Sequence, residues 1–323
     1  MFQKLTVFSI TGLPESAAAL AERLQAQPFT PTTPNQAIAV GWVPPRAEHG
    51  TLVEAVAGHW IARFVIETRS VPGEAVKRRV AELVAEIERT TGRAPGRKEQ
   101  RNLKDQAIEE LLPKAFPKLV ELPVWIDPTT GILGIGATTM SKADEAVTLL
   151  VKCVPDLAVQ LAQTAQSPSV VMATWITEGE ATQNFTVGNE CELQAADESK
   201  AVVRYGRLSL DRADVREHIQ QGKMPRKLGL TWSDRVALQL NDRLQLSKIE
   251  FLDAAMSGQQ AEAEDSFDGS VAIACGELRN LLADLIEALG GQLLRSAGGA
   301  EAQAGAGDGK ATQELEAADA AAA

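Results

Sequence analysis

Apolar and polar positions alternate with period two from Phe2 to Ile10, through Leu5, Val7 and Phe8, which is the pattern of a strand. Pro14 then opens a stretch where Ala17, Leu20 and Leu24 recur at helical spacing, ending before Pro28. Residues 37–43 and 59–68 read as further strands, the second rich in aromatic and β-branched residues, and Pro72-Gly73 marks a break. From Glu74 the period lengthens: Val76, Val80, Leu83, Val84 and Ile87 form one stripe of an amphipathic helix. A turn over 92–96 leads to a second helix, roughly 98–112, with Leu103, Ala107, Ile108 and Leu111 on its apolar side. The stripes are narrow, so the two helices bury them against each other and form a projecting hairpin rather than an independent core.

Residues 122–126 and 132–137 are strands joined by the turn 127–131, with Pro128 and Gly131 placed as a tight hairpin requires. A helix follows, with Ser141 as its N-cap and Ala143, Ala146, Val147, Leu150 and Val151 as its buried stripe. Residues 155–168 read as a connector, and 170–177, 185–187 and 201–208 as short strands. A helix over 211–221 precedes strands at 228–232, 236–240 and 244–251, with Asn241-Asp242 as a hairpin signal, and a helix over 271–294 closes the ordered part. The fold class is therefore α+β. One α+β unit comprises 1–75 and 119–165, interrupted by the helical insertion 76–118; a second spans 166–296; and 297–323, rich in Ala, Gly, Glu and Asp, reads as a disordered tail.

Charge sharpens this division. The chain carries -11 overall, yet residues 77–118 hold eleven Lys and Arg against seven acids, a local +4. Residues 200–250 hold eleven against six, a local +5, while 251–323 hold three against thirteen, a local -10. Such sorting lets one surface attract a polyanion while the rest repels it, and phosphate backbone is the obvious candidate. The acidic total does not argue against this, because charges further away than the screening length of about 8 Å contribute little. No run of about eighteen uncharged apolar residues occurs and the N-terminus lacks signal-peptide regions, which points to the cytoplasm with no membrane contact. Cys153, Cys191 and Cys275 are far apart and read as buried thiols, without disulfide or zinc spacing.

Catalytic constellations are scarce. His49, His59 and His218 lack ligand spacing, so no metal and no cofactor are expected. Gly131, Gly134 and Gly136 lack the order of a nucleotide loop and read as turn and packing glycines. The acids Glu262, Glu264, Asp265 and Asp268 sit in a Ser/Gly/Gln/Ala stretch and read as a solvated loop rather than a two-metal nuclease site. By contrast Arg93, Arg97, Lys98, Arg101 and Lys104 form a tract interrupted by a single acid, Glu99. Phe116, between Pro113 and Pro117 at the end of the hairpin, either projects toward a partner or folds back on Leu112 and Leu119.

The segments GWVPP (41–45), LLPKAF (111–116), the strand end 125–127, the run 142–145 and GELRNLLADLIEALGG (276–291) occur in an order that resembles the RdgC family of bacterial recombination-associated proteins. The resemblance covers residues 2–294 and leaves out the tail. It implies a ring-shaped homodimer that encircles DNA without sequence preference, double-stranded or single-stranded, on the nucleoid, and that restrains RecA-driven strand exchange without catalysis. Each subunit would contribute a base, a centre and a tip, the tip being the helical hairpin. The resemblance places a dimer gate at Phe116 and DNA-facing positions at Arg93, Lys114 and Arg207, with Leu208 where relatives carry a polar residue. Arg97, Lys98, Lys118 and Arg204 join these as DNA-binding candidates from their place in the basic clusters. Two competing readings are a protein-interaction module that inhibits a recombinase by direct contact and a magnesium-dependent nuclease built on Asp265 and Asp268.

Overall fold

The computed structural model describes residues 2–46, 50–182, 184–207, 210, 213–256 and 267–292. Twelve strands form one sheet in the order β2-β4-β5-β6-β1-β12-β11-β10-β8-β9, with β3 on β4 and β7 on β1. In chain order these are β1 (Lys4–Thr11), β2 (Ile38–Val43), β3 (Val53–Val56), β4 (His59–Arg69), β5 (Pro117–Asp127), β6 (Ile132–Ile135), β7 (Ala158–Leu161), β8 (Phe185–Ala195), β9 (Val202–Tyr205), β10 (Lys223–Trp232), β11 (Val236–Asn241) and β12 (Gln245–Phe251). The helices are α1 (Ala17–Leu24), α2 (Gly73–Thr91), α3 (Arg97–Leu111), α4 (Met140–Cys153), α5 (Pro168–Glu178), α6 (Ala213–Gln220), α7 (Asp253–Met256) and α8 (Phe267–Ala288). This is a mixed helix and sheet fold, compatible with α+β.

The strand β1 organises the whole. One of its edges pairs with β6; the other pairs with β12 from Lys4 to Thr6 and then with β7 from Phe8 to Thr11. Its side chains alternate between faces, and both faces are covered. Leu5 and Val7 join a core with Ile61, Trp125, Trp175 and the apolar stripe of α8, including Leu278, Leu282 and Leu285. Phe8 and Ile10 join a second core with Trp60, Phe64, Leu20 of α1 and Ala146 and Leu150 of α4. The centre of the sheet is therefore sandwiched between helices from both ends of the chain.

A buried polar cluster pins the last helix to this centre. Asp127, fully buried at the end of β5, accepts from Arg279 of α8 through Nε at 2.5 Å and Nη2 at 2.9 Å, and from the Thr129 amide at 3.0 Å. Beside it Trp125 Nε1 donates to His59 Nδ1 at 3.1 Å. Burial opposes ionisation of Asp127, yet the Arg279 fork and the turn donors hold its carboxyl below the usual range.

Several local expectations change. Residues 170–177, expected as a strand on their β-branched content, form α5: Ser167 caps it, Pro168 opens it, Gly179 ends it in the left-handed region, and Val171, Met172, Trp175 and Ile176 are its buried face. The helix after β6 begins at Met140 with Thr139 as N-cap, not Ser141, and no side chain closes the cap. The expected connector contains β7, β3 is an additional strand, and the closing helix is Phe267–Ala288. The tail 297–323, Leu208, Leu294, His49, Glu262, Glu264 and Asp265 lie outside the described residues. The three cysteines are buried, with the Cys191 and Cys275 thiols pushed up to about 12 by burial. Gly131 turns with φ 66, and a Cβ at Gly134 would lie 2.7 Å from Leu5 and 3.0 Å from Trp125, so these glycines serve turn and packing roles.

Candidate nucleic-acid interface

The strands β4 and β5 pair from Trp60↔Ile126 to Arg69↔Pro117, well beyond Val124, where β6 begins to pair with β5. The two helices α2 and α3 are inserted at the end of this ribbon. They hold a small cluster of their own, Val76 and Leu83 against Leu103 and Ala107, separate from the two large cores. Gly92 terminates α2 with φ 71, a conformation any other residue would adopt at a cost, and the chain turns at once into α3.

Packing of these narrow stripes leaves the charged residues outside, and ion pairs sort them. Arg79 bridges the helices, donating to Glu110 at 2.7 Å and to Glu82 at 3.0 Å. Lys77 pairs with Glu74 at 2.8 Å, and Arg93 with Glu99 at 3.2 Å. Arg97, Lys98, Arg101, Lys104, Lys114 and Lys118 are exposed and take part in none of the ion pairs among the described residues. Arg97, Arg101 and Lys104 follow i, i+4, i+7 spacing, so they share one side of α3. Cations outside ion pairs are available to an external anion, although the charge of Lys114 is felt by Glu110, whereas Arg93 must first leave Glu99.

The second basic region lies elsewhere. Arg204 is on β9, the terminal strand, and donates to Glu192 at 2.8 Å; Lys227 reaches the same carboxylate oxygen at 3.4 Å. The Arg204 hydrogen bond, followed by the charge of Lys227, holds the Glu192 carboxyl low. Arg207 is exposed just past the strand, with its backbone in the left-handed region at φ 60. Seven strand spacings separate β5 from β9, roughly 34 Å along the sheet at about 4.8 Å each. Within one subunit the structure thus brings Arg97, Lys98, Lys114 and Lys118 to one region and Arg204 and Arg207 to another.

Phe116 ends the hairpin. After α3 a 3₁₀ turn, Leu112–Lys114, closes with the Ala115 amide donating to Leu112 at 3.0 Å, and the chain enters β5 at Pro117. Leu112 is buried, but the Phe116 ring is 93% exposed, so it does not fold back on its neighbours. Leu119 beside it is 48% exposed. On the same hairpin lies an open groove of 810 Å³, lined by Val71, Val80, Val84 and Ile108 and edged by Lys77 and Lys104.

The chain is thus a mixed helix and sheet protein in which a ribbon of sheet carries a helix pair, an exposed cation tract and a bare aromatic. The family model described as "Putative exonuclease, RdgC" matches residues 1–292. The chain belongs to the RdgC family. Similar proteins named "Recombination-associated protein RdgC" include that of Dechloromonas aromatica, 36% identical over 86% of this chain and 93% of its own length. Those of Cupriavidus pinatubonensis and Cupriavidus necator are 38% and 39% identical over the same shares. The basic tract and the turn glycines were legible in the sequence, where Phe116 stood out with its exposure left open. A polar group at the root of the hairpin, Thr32, Glu67 and Arg69, was not legible; its only trace was the polar close of β4, Glu67-Thr68-Arg69.

Proposed function

We propose that this chain binds DNA without regard to sequence, closes with a second copy into a ring around it, and thereby restrains RecA-promoted strand exchange on the nucleoid. The observation that carries this reading is the group of exposed cations on and beside α3, free of ion pairs among the described residues, next to a phenylalanine 93% exposed to water. Each cation that neutralises a phosphate releases counterions, so affinity is independent of sequence and falls steeply with salt. A closed ring adds topology to this attraction: DNA must find an end, or the ring must open, before it escapes.

Closure would come from Phe116 of one copy entering the apolar groove between α2 and α3 of the other, and reciprocally, as two-fold symmetry demands. DNA held in this way is less available to a recombinase filament, and inhibition needs no contact with the recombinase itself. Binding, not hydrolysis, is the proposed activity. Asp268 of the acidic stretch is engaged with Arg46, whose guanidinium also lies 4.7 Å over the Phe267 ring. Magnesium-dependent cleavage of DNA by the purified protein would overturn this part of the reading.

The experiment is binding of a random duplex across a salt series. The natural protein is compared with the quadruple variant Arg97→Ala/Lys98→Ala/Lys114→Ala/Lys118→Ala. The two-copy ring loses eight cations, so the slope of log affinity against log salt should become shallower by up to about 7, near 0.9 for each phosphate no longer neutralised. An unchanged slope would reject this surface as the one that meets DNA. Inhibition of strand exchange that survives in a variant unable to bind DNA would instead support direct contact with the recombinase.

A further inference from the structure

A second organised polar group lies where β4 hands the chain to the helical hairpin. Glu67, buried near the end of β4, accepts from the Thr32 amide at 2.7 Å and from the Thr32 hydroxyl. The hydroxyl is used twice, because its oxygen also accepts from Arg69 Nε at 2.8 Å. A hydroxyl has one proton, so donation to Glu67 fixes its direction and leaves a lone pair for the guanidinium. Arg69 Nη1 then donates to the carbonyl of Ala115 at 2.8 Å, one residue before Phe116. The Thr32 hydrogen bonds hold the Glu67 carboxyl below its usual range, so the chain of donors and acceptors ends on a charge.

The exposure of Phe116 finds its support in this connection. A bare aromatic ring gains nothing from water and would bury area by collapsing on Leu112 or Leu119. Its ring is nonetheless 93% exposed, so the backbone that carries it must be held from outside the hairpin. The shared cluster of the helices, Val76, Leu83, Leu103 and Ala107 with the residues packed on it, does not include Phe116. Arg69 can supply that hold, because it belongs to the sheet and stands opposite Pro117 in register.

We infer that Arg69 is a positioning residue for Phe116: its guanidinium ties the Ala115 carbonyl to β4 and, through Thr32 and Glu67, to the segment preceding β2. The inference rests on the reading of Phe116 as the contact that closes the ring. Presenting the ring in one direction before the partner arrives lowers the ordering cost of closure.

The test uses the full-length protein and two variants, Arg69→Lys and Thr32→Val, with Phe116→Ser as reference. Lysine keeps the charge but cannot reach Thr32 and Ala115 at once; valine keeps the shape of threonine without its hydroxyl. Hydrogen exchange followed by mass spectrometry should show amides of 112–121 exchanging about tenfold faster in both variants, with 278–288 unchanged as a sign of an intact fold. Retention on covalently closed circular DNA should fall to the level of Phe116→Ser. Adding Phe116→Ser to Arg69→Lys should produce no further loss.

Unchanged exchange at 112–121 would overturn the inference. So would faster exchange with full retention, if Phe116→Ser releases the circle. If Phe116→Ser itself leaves retention intact, the closure reading fails, and the exchange result alone decides whether Arg69 holds this segment.

Discussion

Phe116 and Asp127 stand at opposite ends of β5 and invert the usual burial preferences, an aromatic ring in water and a carboxylate out of it. The second is held by the Arg279 fork together with the Thr129 and Thr130 donors of the turn. Arg279→Ala would leave a buried carboxylate unpaired and should lower stability by about 3–5 kcal/mol, measured by urea unfolding. His59 belongs to the same cluster, and burial, then the charge of Arg279, lowers its pKa. Its Nδ1 already accepts from Trp125 at 3.1 Å, so a second proton there would break that bond. The sign follows: below about pH 6.5 the unfolded chain takes up a proton that folded His59 refuses, so stability declines as pH falls through that value. Thermal melts from pH 7.5 to 5 should show this decline, and His59→Gln should flatten it. The sequence revealed Asp127 as a turn residue, but its partner lies 152 positions away, beyond any local pattern.

At the level of elements, local patterns succeeded where one face is dry and the other wet. α2 and α3 were legible because their stripes are narrow and their outer faces charged. α5 was missed for the opposite reason: Val170, Val171, Thr174, Ile176 and Thr177 are β-branched and the segment is apolar nearly all round, so period and propensity both favour a strand. The decisive signal was at its ends, in Ser167-Pro168 and Gly179. The GWVPP segment has a comparable explanation. At Gly41 of β2 an added Cβ would lie 2.4 Å from the backbone of Phe29, because the 27–29 segment lies against this strand, with Trp42 donating to Gln27 and accepting from Phe29. Gly41→Ala must push that segment aside and should cost about 1–3 kcal/mol in chemical denaturation, with helix content by circular dichroism unchanged.

For the molecule as a whole, the sorted charge of the sequence becomes a division in space. The tract on α3 and the pair Arg204 and Arg207 lie at separated places on one sheet, so a single polyanion touching both must span much of the subunit. A ring built from two copies would present both along its inner surface. Its distinguishing behaviour is topological: at moderate salt the protein should survive a competitor challenge longer on a closed circle than on the same DNA cut once. Phe116→Ser should erase that difference while leaving affinity for short duplexes unaltered. Equal lifetimes on circle and linear DNA would argue for open binding along the basic surface.

The register of β4 and β5 carries one more consequence. Arg69 and Pro117 face each other, so everything between them leaves the sheet and returns through a doorway one strand wide. To the sheet, the helical arm is equivalent to the loop of a hairpin, and a short turn could replace it without moving a core residue. Mutation can therefore lengthen, shorten or recharge the arm while the scaffold stays fixed, and the parts that grip and the part that endures can change at different rates.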